Sequence, residues 1–405
     1  MPSKAIKVCV ISPGLPIPPS KGGAIETVIY ESVQFMKEVK ICVFSEQVKP
    51  DDVIKINTDN IEYFQFKSNP FILSLQGFLN RIAQKGFFSL YGIFFIRNLI
   101  SFVKSSPDII HINNNFYYIP YLHRKYPNSR IVLHMHNDFL FYHRWLDNKY
   151  KKIINLADRI ITVSEHVKEQ IVKHYRACEF KIHVVHNGVS LKKFRRLSKG
   201  DARLSLWANN LRLKDNDKVI IYVGRLCEEK GVTYLIQAFR EICHENKNAK
   251  LLIVGSSWFV DSKKTPYLNE LRTLSAGIKD NIIFTGYIPN SELNYIYNLS
   301  QICVVPSVFN EPFGLVILEA MASGCAVIAS RVGGIPEIID DGKTGLLFDA
   351  QDSIMLYEKI KSLLQDVEGR ERIVNNSLQY VKGCDWSAVA KKYEEVYIDM
   401  LKNKA

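Results

Sequence analysis

Ten short apolar runs rich in β-branched residues recur along the chain, with stretches of helical periodicity between them. Strands that alternate with helices pair in parallel, and a parallel sheet covered by helices on both faces has continuously apolar strands. The pattern therefore predicts an α/β fold of doubly wound parallel sheets. The ten runs are Lys7–Ile11, Ile41–Phe44, Ile109–Ile112, Ile131–His134, Arg159–Val163, Val219–Val223, Lys250–Val254, Ile282–Phe284, Ile302–Val305 and Ala326–Ala329.

The chain has 405 residues, more than one hydrophobic core usually serves, so two domains are expected. The polar, basic stretch from Ser190 to Asp217 separates the runs into two groups. We place an N-terminal Rossmann-like domain at residues 1–187 and a C-terminal one at residues 188–384. Segment 385–405 carries apolar residues at helical spacing and predicts a helix that packs across the domain boundary.

The net charge of +12 favours anionic partners such as nucleotides, acidic lipid head groups or nucleic acid. No basic helix with base-reading residues stands out, so a nucleic-acid partner is not expected. The first apolar run is too short for a signal-peptide core, which predicts a cytoplasmic location. The eight cysteines form no C-x-x-C pair, so buried free thiols are predicted rather than disulfides or zinc ligands.

Two carboxylates, Glu311 and Glu319, lie eight residues apart, with Pro312 and Gly314 after the first and an apolar run before the second. A helix that begins near Pro312 would let both acids face one cleft, because eight helical steps of about 100° come to roughly 80° past two turns. Its N-terminus would attract a phosphate or an electron-rich leaving group. The pattern also fits a surface helix with two solvated acids.

Two further segments follow strands and could contact an anion. The loop after the first strand ends in Gly22 and Gly23, whose amides could cradle a phosphate at a helix N-terminus. In the second domain, Arg225 and Lys230 follow a strand at a spacing that suits a diphosphate. A structural turn in the first case and solvated surface cations in the second are the alternatives.

Histidines follow the strand at Ile131–His134, where a doubly wound fold places its ligand crevice. Either His134 or His136 could reach that crevice, and a purely structural histidine explains the residues equally well. No acidic cluster accompanies them, so a metal site is not expected. Asp215-Asn216-Asp217 matches a D-x-D pattern, but its polar surroundings favour a turn.

Several motifs follow one another along the chain: Gly22-Gly23, His136, Ser164-Glu165, Asn187-Gly188-Val189, Gly224-Arg225 with Lys230-Gly231, and Glu311 through Glu319. Taken together in this order, they resemble the motifs of a retaining glycosyltransferase of family 4. The likeness spans nearly the whole chain, and the acid pair and the Arg/Lys pair stand at the family's spacing. The strings Gly22-Gly23-Ala24-Ile25 and Gly255-Ser256-Ser257-Trp258-Phe259 further resemble spore coat protein SA-like members.

The resemblance implies a B-type glycosyltransferase fold, in which two Rossmann-like domains face one another across a cleft and the C-terminal domain holds the nucleotide-sugar. It implies that Arg225 and Lys230 bind the donor diphosphate and stabilise its developing charge, with the amides of Gly22 and Gly23 approaching from the N-terminal, acceptor-side domain.

The same resemblance implies that Glu311 holds the transferred sugar, with Phe313, Gly314 and Leu315 close to the donor, that Glu319 holds the ribose, and that His136 lies near the sugar. Transfer would proceed with retention of the anomeric configuration, and no metal is expected. No cofactor is expected either, because the nucleotide-sugar is itself a substrate. A UDP-sugar is the expected donor, with GDP-mannose as its rival, and a glycan or glycoconjugate is the expected acceptor.

An aromatic and basic segment, Pro70–Ser101, could rest on acidic lipids as an amphipathic surface, although core helices explain it as well. Peripheral contact with the inner membrane face and association with the spore coat are therefore alternatives within the cytoplasmic assignment. Two other functions remain open: a sugar-nucleotide epimerase of the same fold, and an inactive structural coat component. The intact cation and acid pairs favour the transferase over both.

Overall fold

The structure, a computed structural model, describes residues 5–13, 15–19, 23–46, 60–66, 96–97, 99–101, 103, 106–137, 147–198, 200–256 and 265–402. The chain forms two compact units, Met1–His186 together with Ser387–Ala405, and Asn187–Trp386. Each unit contains its own parallel sheet, which confirms the two α/β domains expected from the sequence. The acceptor and donor roles assigned to the two domains stay predictions.

In the described residues of the first unit, seven strands form one parallel sheet in the order β3-β2-β1-β4-β5-β6-β7. The chain runs outward from β1 to β3 and returns to place β4 beside β1, so the strand order reverses between β1 and β4. Ligands of doubly wound sheets bind at the carboxyl ends of strands at such a switch point. The strands are β1 (Ile6–Ile11), β2 (Val39–Glu46), β3 (Ile61–Phe66), β4 (Ile109–Asn113), β5 (Arg130–Met135), β6 (Arg159–Thr162) and β7 (Ile182–Val184).

The helices described in this unit connect successive strands, and the last returns from the end of the chain. They are α1 (Ala24–Val33), α2 (Ile119–Lys125), α3 (Asp147–Leu156), α4 (Glu165–Tyr175) and, after the second unit, α12 (Trp386–Lys402). Strand β4 is buried along its whole length. Helix α12 buries the apolar face read from the sequence, and its Tyr397 hydroxyl lies 2.6 Å from Nδ1 of His111 on β4.

The second unit repeats the plan with six described strands in the order β10-β9-β8-β11-β12-β13, so its switch point lies between β8 and β11. Side chains from all six strands form one buried core with four of the helices that cover them. The strands are β8 (Lys218–Val223), β9 (Ala249–Val254), β10 (Ile282–Gly286), β11 (Ile302–Val305), β12 (Ala326–Ser330) and β13 (Leu346–Phe348). The helices are α5 (Ala202–Asn210), α6 (Val232–Glu245), α7 (Pro266–Leu274), α8 (Leu293–Asn298), α9 (Leu315–Ala322), α10 (Ser353–Gln365) and α11 (Val367–Val381).

Several smaller sequence predictions can be compared directly with the structure. All eight cysteines are free, as predicted, although Cys42, Cys227 and Cys384 are only partly buried. Asp215 and Asn216 form a turn, and the main-chain N–H of Asp217 donates to the carbonyl of Lys214 at 3.0 Å, which confirms the predicted turn at this D-x-D sequence.

Across the described part of the chain, no helix has the length and apolarity needed to cross a bilayer. Nearly all of the proposed lipid-contacting segment, including Phe71 to Phe95, lies outside the described residues.

Candidate active site

The predicted cations stand at the β8/β11 switch point. Strand β8 ends at Val223, and the chain then turns through Arg225 and a short 3-10 helix, Glu228–Lys230. Gly231 ends that turn with φ of 66° and directly precedes α6. A Cβ at Gly231 would lie 1.9 Å from the carbonyl oxygen of Pro306, just past β11, so only glycine allows this close approach of the two loops.

Lys230 and Glu311 form an ion pair, with Nζ 2.5 Å from Oε2. Ser307 Oγ donates to the same carboxylate oxygen at 3.1 Å. The ammonium also lies 4.7 Å from the centroid of the Phe309 ring, within the range of a cation–π contact. Both charged side chains keep less than a fifth of their surface exposed, so the pair lies in a partly desolvated position where its charges act strongly on a ligand.

Arg225 presents a more open cation. Its side chain is 42% exposed, and its one ion pair within the described part of the chain is a long contact, 4.0 Å, with the carboxylate of Glu229. Its main-chain carbonyl accepts a 2.7 Å hydrogen bond from the hydroxyl of Tyr222, a fully buried residue of β8. The turn is therefore anchored to the sheet while the guanidinium remains available for an anion.

The helix that carries the second acid begins later than the sequence suggested. Helix α9 starts at Leu315, not near Pro312, because Gly314 adopts φ of 104° and an α-helix cannot include that conformation. Glu311 therefore lies in the loop before the helix, and the angular argument over eight helical steps does not apply to it. Phe313 is buried and Leu315 is partly buried, so this loop packs against the unit rather than extending into solvent.

Glu319 is a buried acid on α9. Its Oε2 accepts a hydrogen bond from Tyr297 at 3.3 Å, and its Oε1 accepts one from the Asn290 amide at 3.4 Å. Lys193 in turn donates to the Asn290 carbonyl oxygen. Glu311 and Glu319 thus belong to two separate hydrogen-bonded groups, one at the β8/β11 switch point and one between α8 and α9.

In the first unit, Gly22 lies outside the described residues, while Gly23 directly precedes α1 with φ of 122°. A Cβ at Gly23 would lie 2.3 Å from Oε2 of Glu26, so the Glu26 carboxylate already occupies the space beside this helix start. Burial raises the pKa of Glu26, while hydrogen bonds from its own N–H and that of Leu15 act in the opposite direction. The sequence did not predict that a carboxyl group of the chain itself lies at the expected phosphate cradle.

His136 follows β5 and is almost fully buried. Its ring stacks on that of His134 with centroids 3.9 Å apart, and His134 Nδ1 lies 3.1 Å from His111 Nε2. Burial, with a smaller effect of His111, lowers the pKa of His136 to about 3, so its ring is neutral near pH 7. Burial likewise lowers the pKa of His134 and of His111.

The structure brings together Lys230 and Glu311, and it adds two residues that the sequence reading missed, Ser307 and Asn290. Ser307 lies four residues before Glu311 and two residues after the buried strand β11. A polar residue just past the end of a buried strand is the sequence signal that could have identified it. Asn290 has no comparable local signal, because its role depends on a contact between distant segments. Among the described residues, no group of three His, Cys, Asp or Glu side chains is arranged to hold a metal ion.

Two family models match the chain. The model of glycosyl transferases group 1 matches residues 206–380, and the model of glycosyltransferase family 4 matches residues 63–193. A putative glycosyltransferase of Bacillus subtilis, YtcC, is 31% identical over 306 residues, which cover 74% of this chain and 75% of the relative. Spore coat protein SA of the same organism is 28% identical over 389 residues, covering 95% of this chain and 96% of that protein.

Solved structures share the fold. A glycosyltransferase from Rickettsia africae superposes with a TM-score of 0.75 at 21% identity, covering 98% of this chain and 99% of that one. Anabaena Alr3699/HepE, solved in complex with UDP and glucose, superposes with a TM-score of 0.74 at 19% identity, covering 96% of this chain and 98% of that one. The matched sequence models and this fold agree: the chain belongs to the glycosyltransferases of group 1 and family 4.

Proposed function

We propose that the chain transfers a hexosyl unit from a nucleotide-sugar, most simply a UDP-sugar, to a glycan or glycoconjugate with retention of anomeric configuration. The observation that carries the proposal is the Lys230–Glu311 ion pair at the β8/β11 switch point, beside the open cation Arg225. One fixed cation, one free cation and one carboxylate suit a ligand that carries a diphosphate next to sugar hydroxyls.

In this proposal, Arg225 and Lys230 bind the donor diphosphate and stabilise the negative charge that grows as the glycosidic bond breaks. Glu311 uses Oε1, which makes no hydrogen bond within the described residues, to hold hydroxyls of the transferred sugar. Phe313, Gly314 and Leu315 lie beside it along the chain and complete the donor site. Gly22, Gly23 and His136 belong to the first unit, and their contribution to donor binding stays a prediction.

Glu319 would hold the ribose hydroxyls. Its carboxylate is kept in place by Tyr297 and Asn290, so its orientation does not depend on the ligand. A pre-oriented carboxylate favours a pair of neighbouring hydroxyls because little side-chain entropy is lost on binding. The reaction as proposed uses no metal and no cofactor, since the two cations supply the charge that a metal would supply elsewhere.

The similarity to Alr3699/HepE, whose structure contains UDP and glucose, supports UDP over GDP as the donor nucleotide. Similarity to spore coat protein SA supports an association of the chain with the spore coat.

A thermal-shift screen against UDP, GDP, ADP and their common sugars tests the proposal, because a ligand that binds only the native state raises its melting temperature. UDP should stabilise the chain, and Glu319→Gln should remove most of that shift. Incubation with the donor alone separates transfer from epimerisation, since only an epimerase accumulates an isomeric donor. Stabilisation by none of the nucleotides would contradict the proposal.

A further inference from the structure

A small internal cavity lies in the first unit, where helices α1 and α12 face strands β1, β4 and β5. Its volume is about 10 Å³, and a space of about 10–15 Å³ holds one water molecule. Each side chain that lines it is at most 4% exposed. The polar side chains of the lining are those of Ser32, His111, Asn113, His134, Tyr393 and Tyr397. The cavity thus combines room for one small molecule with groups that form hydrogen bonds.

Two polar atoms at this cavity have no hydrogen-bond partner among the described residues, Nε2 of His134 and the hydroxyl oxygen of Tyr393. The two rings lie close together, with centroids 5.4 Å apart and planes inclined by 62°. Burial raises the pKa of Tyr393 above the usual range of a tyrosine, so its hydroxyl keeps the proton near pH 7. Native proteins pair nearly all such buried groups, either with protein atoms or with ordered water.

A path of direct hydrogen bonds leads to His134 Nε2. The Tyr397 hydroxyl lies 2.6 Å from His111 Nδ1, and His111 Nε2 lies 3.1 Å from His134 Nδ1. Burial lowers the pKa of both histidines, so each ring carries one proton near pH 7. If Tyr397 donates to His111, the protons follow one another along the path and His134 Nε2 must donate. If His111 donates to Tyr397, all the bonds reverse and His134 Nε2 must accept.

These requirements define the molecule that fits the cavity. It must be about the size of one water molecule, and it must be able to donate to His134 Nε2 or accept from it. None of the described side chains that line the cavity is charged near pH 7, so an ion there would lack a counter-charge. Ser32 offers a third contact, because its hydroxyl donates to the carbonyl of Ile29 at 3.2 Å and keeps lone pairs that accept. Buried waters make about three hydrogen bonds.

We propose that this cavity is a binding site for one water molecule, which bridges His134 Nε2 and the Tyr393 hydroxyl. The water completes a polar path that begins and ends on α12: Tyr397, His111, His134, the water and Tyr393. A fully paired polar network specifies one arrangement of a core, since every displacement breaks a directional bond. The bound water therefore fixes the position of the C-terminal helix on β4 and β5, in addition to the apolar face of that helix. The proposal does not depend on the proposed transferase function.

A crystal structure of the intact chain, at a resolution that shows ordered water, tests the site directly. We expect one density peak within about 2.6–3.2 Å of both His134 Nε2 and the Tyr393 hydroxyl oxygen. A cavity without density would overturn the proposal. A direct hydrogen bond between the two side chains would overturn it as well, because neither atom would then need a bridge.

Tyr393→Phe tests the bridge in solution. It removes one of the two unpaired atoms and keeps the ring, so water-17O relaxation dispersion, which detects long-lived internal waters, should show the loss of this water. Tyr397→Phe is the matched comparison on the same helix. It removes a hydroxyl that contacts His111 directly, and it should leave the water in place. An unchanged signal in Tyr393→Phe, or an equal loss in both variants, would contradict the bridge. If Tyr393→Phe does not fold, the crystal structure of the unmodified chain still decides whether the water is bound.

Discussion

Lys230 and Ser307 donate to the same oxygen of Glu311, at 2.5 Å and 3.1 Å, and leave Oε1 of that carboxylate without a described hydrogen bond. The ion pair thereby selects which oxygen of Glu311 faces a ligand. The ammonium keeps further donors for a diphosphate while it orients the acid. A single contact thus links the two halves of the proposed donor, its phosphates and its sugar.

Replacement of Glu311 by glutamine should lower kcat/KM by roughly 100-fold or more, the range seen when one charge-stabilising group of an active site is removed. Glutamine keeps the shape but loses the charge that binds the sugar and orients Lys230. The measurement is a donor-transfer assay together with a melting curve, which separates the loss of activity from any stability lost when the largely buried Lys230 no longer faces a charge. Glu228→Gln is the control, since Glu228 is an exposed acid of the nearby 3-10 helix Glu228–Lys230 and no ion pair of its side chain is found among the described residues. Full activity of the Glu311 variant would remove the assignment.

Loss of the Ser307 hydroxyl should have a smaller effect. Ser307→Ala removes one hydrogen bond to a charged group, worth about 1.5–3 kcal/mol, so turnover should fall by roughly ten-fold to a hundred-fold if that bond orients Glu311 in the transition state. Steady-state kinetics should show the loss in kcat more than in KM. In the double variant with Glu311→Gln, Ser307→Ala should add little, because residues that act through one another are not additive. Fully additive losses would show that Ser307 acts elsewhere.

Gly333 supports Glu311 through the backbone. It has φ of 56°, and a Cβ at this position would lie 2.2 Å from the carbonyl oxygen of Glu311 and 2.6 Å from its nitrogen. Gly333→Ala must therefore displace the Glu311 segment, and it should lower both the unfolding free energy and the activity.

Gly342→Ala provides the comparison for Gly333→Ala. Gly342 has φ of 79° but open space where the Cβ would go, so its substitution carries only the backbone strain of about 1–2 kcal/mol. Urea unfolding should show a clearly larger loss for Gly333→Ala, and only that variant should lose activity. Equal losses in both measurements would mean that the close approach to Glu311 does not matter.

Nine strands inside the sheets and the edge strand β10 could be read from the sequence, because each contains a continuous apolar run. The three that were missed, β3, β7 and β13, are all at sheet edges. Strands β7 and β13 have three residues each, too few for a periodicity, and β3 carries a polar residue on each face, Glu62 on one and Gln65 on the other, so it is not a continuous apolar run. Strands that are very short or interrupted by polar residues therefore leave a weak signal in the sequence.

The candidate site was predictable where its residues are adjacent in sequence to strand ends, as for Lys230 and Glu311. Three features were not: the start of α9 at Leu315, the Glu26 carboxyl group beside Gly23, and the hydrogen bonds of His136 with Asn113 and Asn114. Each depends on a local backbone conformation or on a contact between particular residues that no periodic pattern connects. Periodicity along the chain contains no information about such contacts.

The buried histidines predict an acid-sensitive first unit. Burial lowers the folded-state pKa of both His111 and His136 to about 3, whereas an unfolded chain binds these protons near pH 6.5. Below that pH the unfolded state holds more protons than the folded state, so stability falls as the pH falls. The loss is about 1.4 kcal/mol per pH unit for each histidine between roughly pH 6 and pH 3, and it is absent above pH 7.

Hydrogen exchange of peptides from β4 and β5 measures this loss within the first unit. After correction for the intrinsic exchange rate, protection should fall steadily between pH 7 and pH 5, before most carboxylates titrate. His111→Gln removes one of the titrating groups and keeps a hydrogen-bonding side chain near Tyr397, so it should reduce the slope of stability against pH by about 1.4 kcal/mol per unit. A slope that is the same in both proteins would show that His111 can be protonated in the folded chain, and the neutral histidine cluster beside His136 would have to be abandoned.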